Sequence, residues 1–135
     1  KKSVNDNRNV KPNVHIKLST HPSVLFAYSH NYIEVILNVI NETKKNLWFE
    51  ADIHLSDRIS LNPTETLNKG RIRLGILKPK EYIKRSVKVY ANSYTNPNTY
   101  PLHIILYAYD KNAVIYKRIE KDMSVRCEIK RKAVI

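Results

Sequence analysis

Apolar and polar residues alternate along most of the chain with a period of two, the pattern of strands that bury one face. The clearest run spans residues 31–40, where every second residue from Ile33 to Val39 is apolar. Similar runs predict strands over 14–18, 47–55, 71–76, 83–91, 100–110 and 114–130. The last of these is expected to contain a bulge or break near 120–123. The pattern therefore predicts seven short strands.

No segment has the apolar period of a packed helix, and turn-forming residues separate the runs. The combination favours an all-β fold, an immunoglobulin-like antiparallel β-sandwich of about seven strands. A doubly wound sheet is excluded because it needs crossover helices. Residues 13–135 are expected to form this single domain. Residues 1–12, rich in Lys and Asn, are expected to be a flexible leader.

Three short segments predict local structure. Tyr100 follows a turn at 96–99, where a tyrosine corner would return its hydroxyl to the preceding loop; a core tyrosine with its hydroxyl at the rim is the alternative. Residues 110–113 predict a tight hairpin with Asn112 in the left-handed conformation. The triplet Asn41-Glu42-Thr43 fits the N-glycosylation pattern, which we interpret as a chance match.

The composition is that of an ordinary globular domain. The 135 residues are 42% hydrophobic and include two glycines, six prolines and one cysteine, which excludes collagen-like, Gly-rich disordered and disulfide-framework proteins. No apolar run approaches the roughly 18 residues of a membrane span. Cys127 is interpreted as a buried structural thiol and does not indicate a redox compartment. Because the sequence starts at Lys1, an upstream signal or anchor is an open expectation.

Residue types that support catalysis or metal binding do not form a recognisable pattern. The five histidines lack the short spacings to one another and to carboxylates that a metal site needs. Glu34, Glu50 and Asp52 are predicted on solvated strand faces, whereas acid–base catalysis needs carboxylates in different environments within a cleft. Nucleophile-elbow, phosphate-loop and His-Glu-x-x-His motifs are missing from the sequence. The sequence therefore predicts a protein that is not an enzyme, with no catalytic residues, no metal site and no cofactor.

The formal net charge of +12 is concentrated in parts of the chain. Residues 69–88 hold eight basic residues and one acidic residue, whereas residues 31–68 are net acidic. In immunoglobulin strand order the first, second, fourth and fifth strands share a sheet. Its outer face would interleave tyrosines with five basic residues: Lys17, Arg71, Arg73, Lys84 and Lys88. Such a face suits nucleic acid or another acidic polymer, and a solvated face that opposes edge pairing is the alternative.

Large apolar residues are predicted on the outward side of central strands. They are Trp48, Ile105, Tyr107 and Tyr109. Exposed apolar residues at such positions often mark a surface that a partner covers. These four form the candidate protein interface, and the expected occupant is another protein or a second copy in a symmetric homodimer.

Four segments in the second half of the chain carry a family resemblance: 77–81 (Leu-Lys-Pro-Lys-Glu), 87–91, 97–100 (Pro-Asn-Thr-Tyr) and 109–114 (Tyr-Asp-Lys-Asn-Ala-Val). They resemble prokaryotic immunoglobulin-like modules of the CARDB and NEW3 kind, with a Pro-Gly-Glu turn, a Pro-Gly-x-Tyr strand entry and an Asp-x-x-Gly hairpin. Lys80, Asn98 and Ala113 stand where those modules usually have glycine. The resemblance implies an accessory binding or spacer module and brings no catalytic residues with it.

The leading hypothesis is therefore a non-enzymatic protein-interaction or assembly module. We expect it to be the soluble domain of a membrane-anchored cell-surface protein, associated with a surface layer or a surface filament. An extracytoplasmic location is favoured, although the residues leave a cytoplasmic one open. The alternative is a protein that binds nucleic acid or another polyanion through the basic sheet face.

Overall fold

The computed structural model describes residues 13–131, and its regular elements are all β-strands. Within that range no helix is long and apolar enough to cross a membrane. The eight strands are β1 (Val14–His21), β2 (Val24–Phe26), β3 (Asn31–Asn41), β4 (Leu47–Leu55), β5 (Lys69–Leu77), β6 (Tyr82–Ala91), β7 (Asn98–Tyr109) and β8 (Ile115–Glu128). The leader predicted at residues 1–12 lies outside the described residues.

The strands form two sheets that share one core. A three-stranded sheet has the order β1-β3-β6, and a five-stranded sheet has the order β2-β8-β7-β4-β5. Neighbouring strands pair antiparallel except β2, which is parallel to β8. The predicted alternation buries one side of each long strand, so Leu37 from one sheet and Phe49 and Ile104 from the other are fully enclosed. The all-β sandwich is confirmed.

The fourth predicted strand, β5, lies in the other sheet from the one expected. It pairs with β4 at the edge of the five-stranded sheet and does not join β1, β3 and β6. Arg71 lies opposite Asp52 and Arg73 opposite Glu50, so unlike charges face each other across the two strands and favour this pairing. In the strand naming of immunoglobulin variable domains, β4 corresponds to strand C and β5 to the strand C′ that lies beside it.

One strand was not predicted, because three residues are too few to show a period. The side chain of Asn31 binds Phe26, the last residue of β2: it accepts a hydrogen bond from the Phe26 N–H at 2.9 Å and donates one to the Phe26 carbonyl at 2.8 Å. The break predicted near 120–123 is wrong, since β8 is continuous and these residues pair in register with the long strand β7. The irregularity lies opposite Tyr109, beside the β7–β8 turn.

A β-bulge in β5 changes which side its last residues face. The pairing with β4 shifts next to Gly75, whose φ of 122° favours glycine. Leu74 and Leu77 are both buried, whereas Ile76 between them exposes 68% of its surface. The alternation predicted over residues 71–76 would put Ile76 on the same face as Leu74, and this part of the prediction is wrong because of the bulge.

The tyrosine corner predicted at Tyr100 is confirmed. Its hydroxyl donates to the carbonyl oxygen of Asn96 at 2.6 Å, the ring is buried, and burial raises the pKa of the Tyr100 phenol.

Asn41, in the glycosylation-like triplet, is also fully buried. Its side-chain amide donates to the carbonyls of Lys45 at 2.8 Å and Leu77 at 2.9 Å. The Asn41 side chain therefore ties the β3–β4 turn to the end of β5.

Two hairpin turns place a residue other than glycine in the left-handed region. Lys80 has a φ of 71° and Ala113 a φ of 62°, and both stand where CARDB-type modules usually have glycine. The prediction that Asn112 adopts this conformation is wrong. The Asp110 carboxylate accepts a hydrogen bond from the Asn112 N–H at 2.8 Å. The left-handed residue of this turn is the next one, Ala113.

We expect Ala113→Gly to stabilise the protein. The left-handed conformation costs an L-residue roughly 1–2 kcal/mol, which exceeds the roughly 0.5–1 kcal/mol that glycine loses in chain entropy. Urea unfolding should show a gain of up to about 1 kcal/mol in the free energy of unfolding. Lys111→Gly is the matched control, because φ is not positive at Lys111 in the same turn. It should lower stability, and equal effects of the two substitutions would contradict the assignment of strain.

Candidate functional site

The outward residues of β5, β4, β7 and β8 form four cross-strand rows, because these strands pair in register. From β5 to β8, the rows are Ile76, Trp48, Tyr109 and Ile115; Arg73, Glu50, Tyr107 and Arg118; Arg71, Asp52, Ile105 and Glu120; and Lys69, His54, His103 and Asp122. We call the first of these the apolar row. The face therefore changes from apolar beside the β7–β8 turn to charged and polar at the other end.

The apolar row borders an open cleft. Trp48 is 43% exposed and its neighbour Ile76 on β5 is 68% exposed, so large apolar surfaces meet solvent side by side. The cleft has a volume of about 520 Å³ and is lined by Trp48, Ile76, Tyr109 and residues of two turns. An apolar concavity with a few polar groups at its rim is the usual form of a binding site.

Ion pairs hold the middle of the face. Arg71 binds Asp52 through two hydrogen bonds, Nε to Oδ1 at 2.6 Å and Nη2 to Oδ2 at 3.0 Å. Its Nη1 donates to Glu50 Oε1 at 3.0 Å. The hydrogen bond from Arg71 holds the pKa of Asp52 below its ordinary value. Two-point contacts of this kind fix the arginine in one orientation, so β5 is tied to β4 on this side of the sheet.

Tyr107 lies beneath two guanidinium groups. The Arg71 guanidinium carbon is 5.1 Å and that of Arg118 is 6.0 Å from the ring centroid, within the range of cation–π attraction. Tyr107 also stacks on Tyr109, with 6.1 Å between ring centroids. Tyr109 lines the cleft, whereas Tyr107 does not.

His103 lies between two carboxylates of β8. Its Nε2 is 2.8 Å from Glu120 Oε1, and its Nδ1 contacts Asp122 Oδ1. Hydrogen bonding to Asp122 raises the pKa of His103, and Glu120 adds to this effect. The carboxylates hold opposite ring nitrogens, so the three groups do not converge on a point. Among residues 13–131, no group of three His, Cys, Asp or Glu side chains is arranged to hold a metal ion.

The four residues of the predicted protein interface lie together on this face: Trp48, Ile105, Tyr107 and Tyr109. Of these four, Trp48 is exposed, whereas Ile105, Tyr107 and Tyr109 are half-buried. Ile76 and Ile115 extend this surface and were not predicted. Gly75 within a strand was the available indication of the bulge that exposes Ile76. The irregular start of β8 hid the side on which Ile115 lies.

The five basic residues predicted to share a face lie on two sheets. Lys17, Lys84 and Lys88 lie on the outer face of the three-stranded sheet, and Arg71 and Arg73 lie on β5. The two arginines face carboxylates, with Arg73 Nε at 3.9 Å from Glu50 Oε2. The prediction of one basic face is therefore wrong, because β5 pairs with the acidic strand β4.

The three-stranded sheet keeps a smaller basic surface. The Lys88 ammonium lies 4.8 Å from the ring centroid of Tyr32, which packs against Tyr90 with 5.5 Å between centroids. Glu34 lies opposite Lys88 and offsets its charge. Lys17 and Lys84 remain as exposed cations on this face.

Cys127 is a buried free thiol, as predicted. Burial raises its pKa, and the neighbouring charge of Glu128 adds to the effect. A thiol with a raised pKa is a poor nucleophile at neutral pH.

No protein-family model matches the sequence, and no curated protein does either. Solved structures of small β domains do match. A CARDB domain from Pyrococcus furiosus, solved with di-metal ions, is 12% identical with a TM-score of 0.51 over 89% of this chain and 96% of that one. A FixG-related protein from Vibrio parahaemolyticus is 17% identical with a TM-score of 0.52 over 87% and 98%. AvmM, which catalyses macrocyclization in alchivemycin A biosynthesis, is 11% identical with a TM-score of 0.53 over 93% and 94%.

These likenesses define a class of fold. The chain is a CARDB-like β-sandwich, and the resemblance found in the sequence is confirmed at that level. The same fold serves a catalyst in AvmM. Function therefore has to be inferred from the side chains of the site.

We expect the stability to fall as pH rises through the pKa of His103. That pKa is raised above its ordinary value of 6.5, so the stabilising contribution is complete below about pH 6.5 and is lost above the folded-state pKa. Urea midpoints measured across this range should decline less in His103→Gln than in the wild-type protein. His30→Gln, at an exposed histidine, is the control. An unchanged pH dependence in His103→Gln would refute the role of the two carboxylates.

Proposed function

We propose that the chain is a non-enzymatic module that binds another protein through the outer face of the five-stranded sheet. The supporting observation is the apolar row, in which four neighbouring strands present large apolar side chains side by side. Contiguous exposed apolar surface on a soluble domain usually marks a surface that a partner covers. Tryptophan and tyrosine are also the residues most enriched among those that dominate binding energy.

The charged residues of the same face favour binding over catalysis. Asp52 is held by Arg71, and Arg71 also contacts Glu50. Glu120 contacts both Arg118 and His103. Arg71 lowers the pKa of Asp52 and Arg118 lowers that of Glu120, so both carboxylates are weak general bases at neutral pH. The pairs therefore act as a fixed polar border around the apolar row, as in the polar rim of a protein interface.

The setting that we propose is the soluble domain of a membrane-anchored cell-surface protein. The support is the resemblance of four segments in the second half of the sequence to prokaryotic accessory modules, together with the exposed apolar row. The complete open reading frame tests this setting: a hydrophobic segment or export signal is expected, and a frame without either would contradict it.

We expect peptides selected on the immobilised domain from a random display library to depend on Trp48. Replacing Trp48 by Ala should weaken the best binders by at least about tenfold, because aromatic residues at the centre of an interface supply much of its affinity. Binding by fluorescence anisotropy or surface plasmon resonance measures the loss.

Tyr94→Ala is the matched control, since Tyr94 is 79% exposed and lies outside the five-stranded sheet. Binders that lose as much affinity with Tyr94→Ala as with Trp48→Ala would refute the proposed surface. Light scattering separates the two kinds of occupant. A mass that rises with concentration in the wild-type protein, and not in Trp48→Ala, indicates a second copy, and a constant monomer mass indicates a different protein.

A second candidate function is the binding of nucleic acid or another polyanion by the three-stranded sheet. It is supported by Lys17 and Lys84, which flank β3 on its outer face. The aromatic pair Tyr32 and Tyr90 beside Lys88 adds surfaces on which bases can stack.

If this second function holds, affinity for DNA falls steeply as salt rises. The double substitution Lys17→Ala, Lys84→Ala should reduce the slope of log K against log salt by about 2. Arg73→Ala, which removes one positive charge from the other sheet, is the control and should change the slope little. Failure of the protein to bind heparin at about 0.15 M salt would count against the function.

A further inference from the structure

The charges around the cleft beside the apolar row indicate which kind of ligand it binds. The inference drawn from them rests on the function proposed for the apolar row. The cleft lies where the β3–β4 turn and the β7–β8 turn meet. A second hollow of about 490 Å³ between the same turns shares Asn46, Asp110 and Lys111 with the cleft. The two form one depression that is apolar on the sheet side and polar on the turn side.

Acidic groups near the depression already have partners. Glu50 contacts Arg71 at 3.0 Å. Asp110 Oδ1 accepts from the N–H groups of Asn112 at 2.8 Å and Val114 at 3.1 Å. Glu42, in the β3–β4 turn, contacts His15 at 3.2 Å. These carboxylates hold the turns and strands in place.

Basic groups of the same depression have no such partners. Lys44, Lys45 and Lys111 line it from the two turns, and no carboxylate among residues 13–131 lies within 4.0 Å of their ammonium groups. The Lys45 ammonium lies 5.1 Å from the ring centroid of Tyr116, beside the apolar row. The depression therefore combines an aromatic wall with unneutralised positive charge.

We propose that this depression binds an acidic peptide segment that carries a large apolar side chain. The apolar side chain packs between Trp48, Ile76 and Tyr109. The carboxylates of the segment face Lys44, Lys45 and Lys111. Both parts of the ligand are matched, because apolar contact supplies affinity and complementary charge supplies specificity and a faster association.

A second copy of the chain fits the depression less well. A symmetric contact centred on the apolar row pairs the same patch of both copies. When the two-fold axis crosses the row, the lysines of one copy meet those of the other, and like charges oppose each other across an interface. Nucleic acid would satisfy the lysines but leave Ile76 and the apolar side of the cleft with a poor match.

The test uses Trp48, the only tryptophan of the chain, as its own reporter. The protein is titrated with the synthetic peptide Asp-Glu-Leu-Phe-Glu-Asp, with the same peptide carrying Lys at the acidic positions, and with one carrying Gly at the two apolar positions. The first peptide should shift the Trp48 emission to shorter wavelength and bind at least about tenfold more tightly than either control, since each control removes one of the two matched features.

Variants that remove lysine charges compare the contribution of the two turns to peptide affinity with that of the rest of the surface. Lys44→Gln with Lys111→Gln should weaken the acidic peptide about fivefold or more and reduce the salt dependence of its binding. Lys121→Gln with Lys130→Gln, at exposed lysines that line neither hollow, removes the same charge and should leave the affinity unchanged. Equal losses in the two double variants would overturn the proposal.

Four other results would overturn the proposal for the depression, and one of them would also overturn the proposed function. If display peptides depend on Trp48 but are neutral or basic, the proposed function stands and this inference fails. If no peptide depends on Trp48, both fail. A single-stranded DNA oligonucleotide that shifts the emission at lower concentration than the acidic peptide would overturn the inference in favour of nucleic acid. A mass that rises with concentration and is lost in Trp48→Ala would overturn it in favour of a second copy.

Discussion

The register between β4 and β7 is the constraint on which both the core and the candidate site depend. With Ile53 opposite Ile104, both strands send apolar residues into the core, and the same register sets Trp48 beside Tyr109 on the outside. A shift of one residue would exchange the two faces of a strand, which would expose the core residues and bury the charged rows. β5 and β8 extend this register on each side, so the apolar row forms only because all four strands are aligned at its level.

Positive charge on this protein divides into a part that holds the structure and a part that faces solvent. Arg71 ties β5 to β4 and covers Tyr107 together with Arg118. Lys44, Lys45 and Lys111 lie on turns, where no carboxylate of the described chain neutralises them. A net charge of +12 taken alone suggests nucleic acid. Apart from the paired arginines, two groups of lysines form separate surfaces, and the group on the two turns adjoins the apolar row.

Likeness to a CARDB domain is a likeness of fold. Lys80 and Ala113 adopt the left-handed conformation at positions where the modules that the sequence resembles usually have glycine, so this chain lacks the residue that relieves the strain of that conformation. Function does not follow from this likeness, because AvmM shares the fold and is a catalyst. The difference lies in which side chains the sheet presents and whether they are already paired.

The sequence determined the class of fold, the long strands, the tyrosine corner at Tyr100 and the outward side of Trp48, Tyr107 and Tyr109. Each of these depends on local pattern, since a period of two decides which side of a strand is buried. The short strand β2, the bulge at Gly75 and the left-handed residue at Ala113 depend on hydrogen bonds made with neighbouring segments, and pattern alone could not locate them.

Only the tertiary structure decided which strands are neighbours. The sequence pattern predicts the wrong sheet for the arginines of β5, because immunoglobulin-like sandwiches place the fourth strand in either sheet and alternation within a strand is the same in both. Opposite charges on β4 and β5 resolved the choice. The apolar row and the lysines of the two turns became one site for the same reason: their residues are far apart in the chain, and only strand pairing brings them together.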